Sequence, residues 1–214
     1  MNLFSTFDPS TGNFSMNWIS IMFLITILPY SMWITKSNMM MLMFKTLKMM
    51  NNEMKSLNFI KGYTIMSTSL FYMILMINIM GILPYIFTSS SHILMSLSMA
   101  LPLWMSLMMY GWINKTNSMF MHLVPISTPA LLMPMMVMIE TTSNLIRPGS
   151  LAVRLSANMI AGHILMSLLG NNNQFFTMIV LMVMFTFLFV FESAVAFIQS
   201  YVFMTLSTLY SSEI

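Results

Sequence analysis

Residues 131–169 read LLMPMMVMIETTSNLIRPGSLAVRLSANMIAGHILMSLL, a nearly continuous apolar run interrupted once, at Pro148-Gly149. A second run, residues 175–210, contains neither proline nor glycine. At about 1.5 Å per residue each run would exceed about 50 Å as a helix, whereas the hydrocarbon core of a bilayer is about 30 Å thick. We therefore expect a long, steeply tilted helical hairpin over residues 131–210. The alternative is that each run is a broken pair of spans.

The composition of the whole chain agrees with a membrane location. Of its 214 residues, 58% are hydrophobic and only 6% are charged, whereas soluble domains carry about 25% charged residues. Residues 62–114, 116–139 and 155–191 contain no charged residue. The sequence predicts a single all-α, polytopic membrane domain, residues 1–214, with about five transmembrane helices.

Three further spans are predicted ahead of the hairpin, at residues 17–35, 63–87 and 93–112. Residues 1–15 form a polar N-terminal segment. They lack the basic region followed by an apolar run that marks a signal peptide, so we expect neither a signal peptide nor a transit peptide.

The segment between the first two spans, residues 36–61, is amphipathic and basic. Its apolar residues recur at helical spacing and its lysines lie opposite them, which predicts a helix on the membrane surface. A plain loop is the alternative. Because basic loops stay on the inner side of a membrane, we expect the N-terminus outside and the C-terminus inside. The lysines therefore indicate topology, and no nucleic-acid partner is expected.

The long hairpin contains five ionisable residues. A guanidinium at the centre of a bilayer costs roughly 3 kcal/mol or more, and intramembrane ionisable groups usually mark a functional site. The alternative is a set of ion pairs that hold helices together. The residues are Glu140, Arg147, Arg154, His163 and Glu192.

The spacing of these residues predicts which of them share a helix face. Glu140, Arg147 and Arg154 are seven residues apart and would share one face, unless Pro148 breaks the helix. Beyond Pro148 a stripe of mostly small residues accompanies the arginine. Such a stripe lets another helix pass close to Arg154, although packing within the chain is equally compatible with it. The stripe consists of Ser150, Arg154, Ala157, Asn158 and Ala161.

His163 is nine residues beyond Arg154, about 180° around the helix, so these two side chains should face different spaces. In the second run, Glu192, Ala196 and Gln199 share a face. Glutamate and histidine exchange protons, whereas arginine keeps its charge. The pattern favours directed proton movement, with exchangeable groups on one side and a fixed charge on the other.

Several other functions are disfavoured. The chain has no cysteine, which excludes disulfides and thiolate metal sites, and no paired histidines at haem-ligand spacing. We expect no metal and no cofactor. A proton- or cation-coupled secondary transporter is the main alternative, although no internal repeat of the usual kind is present. A non-transporting anchor subunit of a respiratory complex would not need the buried ionisable residues.

Three motifs carry a resemblance to a known family. They are AVRLSAN at residues 152–158, AGH at 161–163 and FESAVAFIQSYVF at 191–203. Together they resemble subunit a of the F-type ATP synthase, above all its mitochondrially encoded form. The 32 methionines fit an organelle-encoded member of that family.

The resemblance implies a subunit with no nucleotide site or catalytic site of its own. It would lie in the mitochondrial inner membrane, with its N-terminus in the intermembrane space and its C-terminus in the matrix. Its partners would be protons, the lipid bilayer, a ring of c subunits, and other membrane and peripheral-stalk subunits. Two half-channels would deliver protons to the ring carboxylates and couple proton flow to ring rotation and ATP synthesis.

The resemblance also implies roles for single residues. Arg154 matches the essential arginine between the half-channels. His163 and Glu192 match positions of the intermembrane-space half-channel, and Glu140 matches a position near the matrix half-channel. Asn158 and Gln199 match polar residues that support the arginine. For Arg147 a structural role and a channel role both remain open.

Overall fold

The computed structural model describes residues 5–10, 12, 14–22, 35–57, 62–83, 86–124, 128–170 and 178–213. Within these ranges the protein is helical and has no strand. Four of the described helices, α2, α3, α5 and α6, are long and apolar enough to cross a membrane, which confirms an all-α polytopic protein. The predicted first span, residues 17–35, lies largely outside the described residues. The α-helices are α1 (Asn38–Leu57), α2 (Tyr63–Ile82), α3 (Ile93–Asn114), α4 (Thr116–His122), α5 (Met133–Gly170) and α6 (Met178–Glu213).

Helices α5 and α6 are 38 and 36 residues long, as the two apolar runs predict. The break that Pro148 could have introduced is absent, because α5 continues through this proline. Pro148 is buried among the neighbouring helices, where packing compensates for the backbone donor that proline lacks. The alternative of broken spans is therefore wrong for both helices, and positions before and after Pro148 share one register.

The four long helices alternate in direction, so each end of the bundle gathers distant parts of the sequence. Ile82 at the end of α2, Thr88 ahead of α3 and His163 near the end of α5 line one cavity. Trp112 near the end of α3 and Tyr210 near the end of α6 line another. We call these two ends of the bundle the His163 end and the Glu140 end.

The core lies midway between the two ends. On α5 it contains Leu151, Ala152 and Leu155, which are buried on one side of the helix. Arg154 lies on the other side of this packed part of α5 and is exposed. The core cluster consists of Ile74, Ala100, Leu103, Leu151, Ala152, Leu155 and Phe203.

Helices α2 and α6 pack against each other, and both carry buried small hydroxylated residues. Ser67 and Thr68 on α2, and Ser200 and Thr208 on α6, are buried. The hydroxyls of Ser67, Ser200 and Thr208 donate hydrogen bonds to carbonyls three residues earlier. Small side chains whose polar groups are satisfied locally allow two membrane helices to approach closely. This contact fixes α6, and the polar residues on it, against the bundle.

Helix α1 confirms that the basic segment is helical, so the plain-loop alternative is wrong. Its lysines, Lys45, Lys48 and Lys55, are exposed, whereas Met54 is fully buried. Met54 forms a cluster with residues of α2 and α6, among them Phe71 and Met204. The amphipathic face that the sequence predicts is therefore docked on the helical bundle.

Candidate functional site

Arg154 lies on an exposed stripe of α5 and makes no hydrogen bond or ion pair with any described residue. The stripe as a whole does not pack within the chain, because every member is exposed in the part of the protein that the structure describes, although Asn158 also contacts α6. Because the side chains around the guanidinium are mostly small, a helix from another molecule can approach it closely. The exposed members are Ser150, Arg154, Ala157, Asn158 and Ala161.

A hydrogen bond between two amide side chains joins α5 to α6 one turn beyond Arg154. Asn158 Nδ2 donates to Gln199 Oε1 over 3.1 Å, and Gln199 is buried. The structure thus brings together two predicted site residues that are 41 positions apart. Their bond fixes the distance between the helices where the arginine is displayed.

Glu192 on α6 is 4% exposed, and neither of its carboxyl oxygens has a hydrogen-bond partner among the described residues. A Cβ atom built on Gly162 of α5 would overlap this carboxyl group. Glycine at position 162 therefore provides the space that Glu192 occupies. Burying a carboxyl group without a hydrogen-bond partner costs free energy. The position is therefore suited to a group that takes up and releases a proton or binds a water molecule. Ala196 and Gln199 are buried on the same side of α6, as the spacing predicts.

His163 follows Gly162 in the chain and lines a cavity of about 430 Å³ at the His163 end. Its Nε2 atom is buried without a partner in the described structure, and its ring makes a T-shaped contact with the Phe7 ring, with 6.2 Å between the ring centroids. Arg154 and His163 therefore face different spaces, as predicted. We call this cavity the His163 cavity. It is lined by Thr6, Asp8, Asn17, Ile82, Leu83, Ile86, Phe87, Thr88, His163, Met166, Ser167, Phe185 and Phe189.

A second cavity, of about 480 Å³, lies at the Glu140 end. Arg147 Nη2 is 3.7 Å from Glu140 Oε1, so the continuous helix brings these predicted neighbours together. The Arg147 guanidinium also lies over the Tyr210 ring, 5.0 Å from its centroid. Arg147 thus links α5 to α6 and lines the cavity at once. This Glu140 cavity is lined by Trp104, Met108, Trp112, Met119, Leu123, Glu140, Thr141, Asn144, Leu145, Arg147 and Tyr210.

Arg154 lies between the two cavities along α5. Glu140 is 14 residues before it and His163 is nine residues after it, which correspond to about 21 Å and about 14 Å of helix. Proton-exchanging side chains therefore lie at both ends, with a fixed positive charge between them. Among the described residues no group of three or more histidine, aspartate or glutamate side chains could hold a metal ion.

Three residues that contribute to these sites were missed by reasoning from the sequence. Tyr210 gave no signal, because it is one aromatic residue in an apolar helix. Gly162 was noted only as part of a motif, although the Glu192 carboxyl group occupies the space that a side chain at position 162 would fill. Asp8 had a weak signal as the only acidic residue before position 53, and its place in the His163 cavity depends on tertiary structure.

Comparison with known proteins assigns the family. A family model described as ATP synthase A chain matches residues 14–212. ATP synthase subunit a of Drosophila melanogaster is 53% identical, and the subunits a of Locusta migratoria and Anopheles quadrimaculatus are each 52% identical. Each comparison covers 100% of this chain and 98% of the relative. The chain therefore belongs to the ATP synthase subunit a family.

Proposed function

We propose that this chain is the proton-conducting subunit of an ATP synthase and that it passes protons to and from a ring of c subunits in the mitochondrial inner membrane. One observation carries the proposal. Two cavities lie at opposite ends of α5, and the exposed Arg154 lies between them. The chain supplies the proton path, and the chemistry of ATP belongs to other subunits.

The side chains suggest how a proton would travel. A proton entering the His163 cavity reaches His163 and then Glu192, whose carboxyl group is buried beside Gly162. From there it moves to a carboxylate on a ring subunit. After the ring turns, the proton leaves through the Glu140 cavity. Membrane carboxyl groups exchange protons readily when their surroundings favour neither form strongly.

Arg154 has two tasks in this path. Its permanent charge attracts a ring carboxylate that has released its proton. The same charge opposes a cation moving directly from one cavity to the other, because electrostatic repulsion is strong where water is excluded. The exposed small-residue stripe gives a ring helix close access to the arginine, and the Asn158–Gln199 bond keeps that surface in place.

The lysines of α1 suggest the orientation of the subunit. Helix α1 packs against the middle of α2 and the second half of α6, and this half of α6 leads to Tyr210 at the Glu140 end. By the positive-inside rule the Glu140 cavity and the C-terminus face the matrix, and the His163 cavity and the N-terminus face the intermembrane space. Other membrane and peripheral-stalk subunits would cover part of the remaining apolar surface.

Thiol labelling from each side of the membrane tests this proposal. The chain contains no cysteine, so single cysteines can be placed at Thr141 in the Glu140 cavity and at Ser167 in the His163 cavity. In the assembled complex, a charged, membrane-impermeant thiol reagent should label Thr141→Cys only from the matrix side. It should label Ser167→Cys only from the opposite side, and labelling of either should inhibit proton-driven ATP synthesis.

The control is Val183→Cys, whose position on α6 is exposed outside both cavities. We expect no labelling there from either side, because lipid excludes the charged reagent. Labelling of both cavity positions from the same side, or of neither from any side, would overturn the two-cavity proton path.

A further inference from the structure

The N-terminal segment contributes an acidic side chain to the mouth of the His163 cavity. Asp8 lines this cavity together with Asn17 and His163, yet Asp8 is exposed. Its neighbour Phe7 packs against the His163 ring. Asp8 therefore lies where the cavity meets the solvent, ahead of the buried groups along the proposed path.

Several contacts hold Asp8 in this position. The backbone N–H of Ser10 donates to Asp8 Oδ1 over 3.0 Å, and Asn17 Nδ2 donates to the Asp8 carbonyl over 3.2 Å. The segment is anchored to the bundle by Trp18. Its ring centroid lies 5.5 Å from the ring centroid of Phe87 and 5.3 Å from that of His92. Such a network positions a side chain, whereas a free terminal segment would not.

We infer that Asp8 is a proton-collecting carboxylate, which gathers hydronium ions at the mouth of the His163 cavity and supplies them to His163. This rests on the function proposed above and adds the entry point of the path. The ligand is the proton itself, delivered by water or by a small buffer acid.

The electrostatics of the cavity mouth support this task. The hydroxyl of Ser10, and after it the Ser10 backbone N–H, donate hydrogen bonds that hold the pKa of Asp8 below its usual value. Asp8 is therefore negatively charged throughout the neutral range. A fixed negative charge in a cleft raises the local concentration of cations and their rate of entry. The other titratable groups nearby are His163 in the cavity and His92 against Trp18 and Phe87.

Proton-driven ATP synthesis by Asp8→Asn tests this inference. Asparagine keeps an oxygen that accepts the Ser10 N–H, so the change removes the charge and leaves the turn intact. The complex is reconstituted in vesicles, and the pH on the His163-cavity side is varied at constant proton-motive force. At alkaline supply pH, where proton capture is limiting, Asp8→Asn should lower the rate roughly threefold, a modest case of charge focusing. At acidic supply pH the loss should disappear.

Three comparisons separate a proton-collecting role from a structural one. Asp8→Glu should match the unmodified complex, and a small mobile buffer should restore Asp8→Asn at alkaline pH. Glu53→Gln, which removes an exposed acid on α1, should have no effect at any pH. An Asp8→Asn rate equal to the unmodified rate at every pH, or a loss that neither acid pH nor buffer restores, would overturn the inference. An unmodified complex that made no ATP from the gradient would instead overturn the proposed function.

Discussion

Glu192 and Gly162 show how one missing side chain creates a site. The buried carboxyl group of Glu192 occupies the position that a Cβ atom on residue 162 would take. His163 follows Gly162 directly in the chain. The same turn of α5 therefore places a histidine in the cavity and leaves space for the Glu192 carboxyl group. The close approach of α5 and α6 at this level depends on glycine.

Gly162→Ala should impair proton conduction without unfolding the subunit. The new methyl group displaces the Glu192 carboxyl group, and misplacing a proton-transfer group by about 1 Å costs on the order of tenfold or more in rate. We expect proton-driven ATP synthesis in reconstituted vesicles to fall by about that factor, and Glu192→Gln to slow it as well.

Gly149→Ala is the matched control on the same helix, because a Cβ atom there meets nothing within 4 Å. It should leave the rate close to that of the unmodified complex. Equal rates for Gly162→Ala and Gly149→Ala would show that the space above Gly162 has no part in proton transfer.

At the scale of elements, helix length and face could be predicted from the sequence, but the register across Pro148 and the docking of α1 could not. The long apolar runs and the seven-residue spacing of Glu140, Arg147 and Arg154 are local patterns, and the structure agrees with them. Continuity through Pro148 depends on the helices that bury it. Likewise, the docking of α1 depends on Met54 meeting Phe71 and Met204, which are far away in sequence.

Met54→Ala should loosen α1 from the bundle. Met54 is fully buried, and Thr208 Oγ1 lies 3.4 Å from its sulfur. Replacing a buried methionine with alanine leaves a cavity and typically costs about 2–5 kcal/mol. Hydrogen–deuterium exchange of the assembled complex should show faster exchange in α1, with α5 unchanged.

The exposed Met49 on the same helix supplies the control, since Met49→Ala makes the same change in helix propensity without a cavity. Indistinguishable exchange in the two variants would mean that Met54 does not anchor α1.

At the scale of the whole molecule, the two cavities are the feature that the sequence does not reveal. The His163 cavity combines residues from Thr6 to Phe189, and the Glu140 cavity combines residues from Trp104 to Tyr210. No local sequence pattern predicts that residues so far apart in the chain line one cavity. The motif around Arg154 did point to the correct family, because a sequence motif is local, and a charged residue within an apolar run is a local signal whose cost in a membrane is high.

The exposure of Arg154 is also explained at the scale of the whole molecule, by the energetics of the proposed proton path. Moving one charge through 100 mV releases about 2.3 kcal/mol, so several protons must be coupled to each ATP and a leak between the cavities would waste them. In the proposed function, a permanent charge between the two cavities opposes that leak and attracts a ring carboxylate. Lysine is a poorer substitute, since it can lose its proton in an apolar site.

Replacement of Arg154 in the assembled, vesicle-reconstituted complex is the most direct measurement of whether this residue couples the two cavities. Proton-driven ATP synthesis should be abolished in Arg154→Ala and should fail in Arg154→Lys as well, while the complex still assembles. ATP synthesis at the unmodified rate in either variant, at the same proton-motive force, would contradict a path in which Arg154 separates two half-channels.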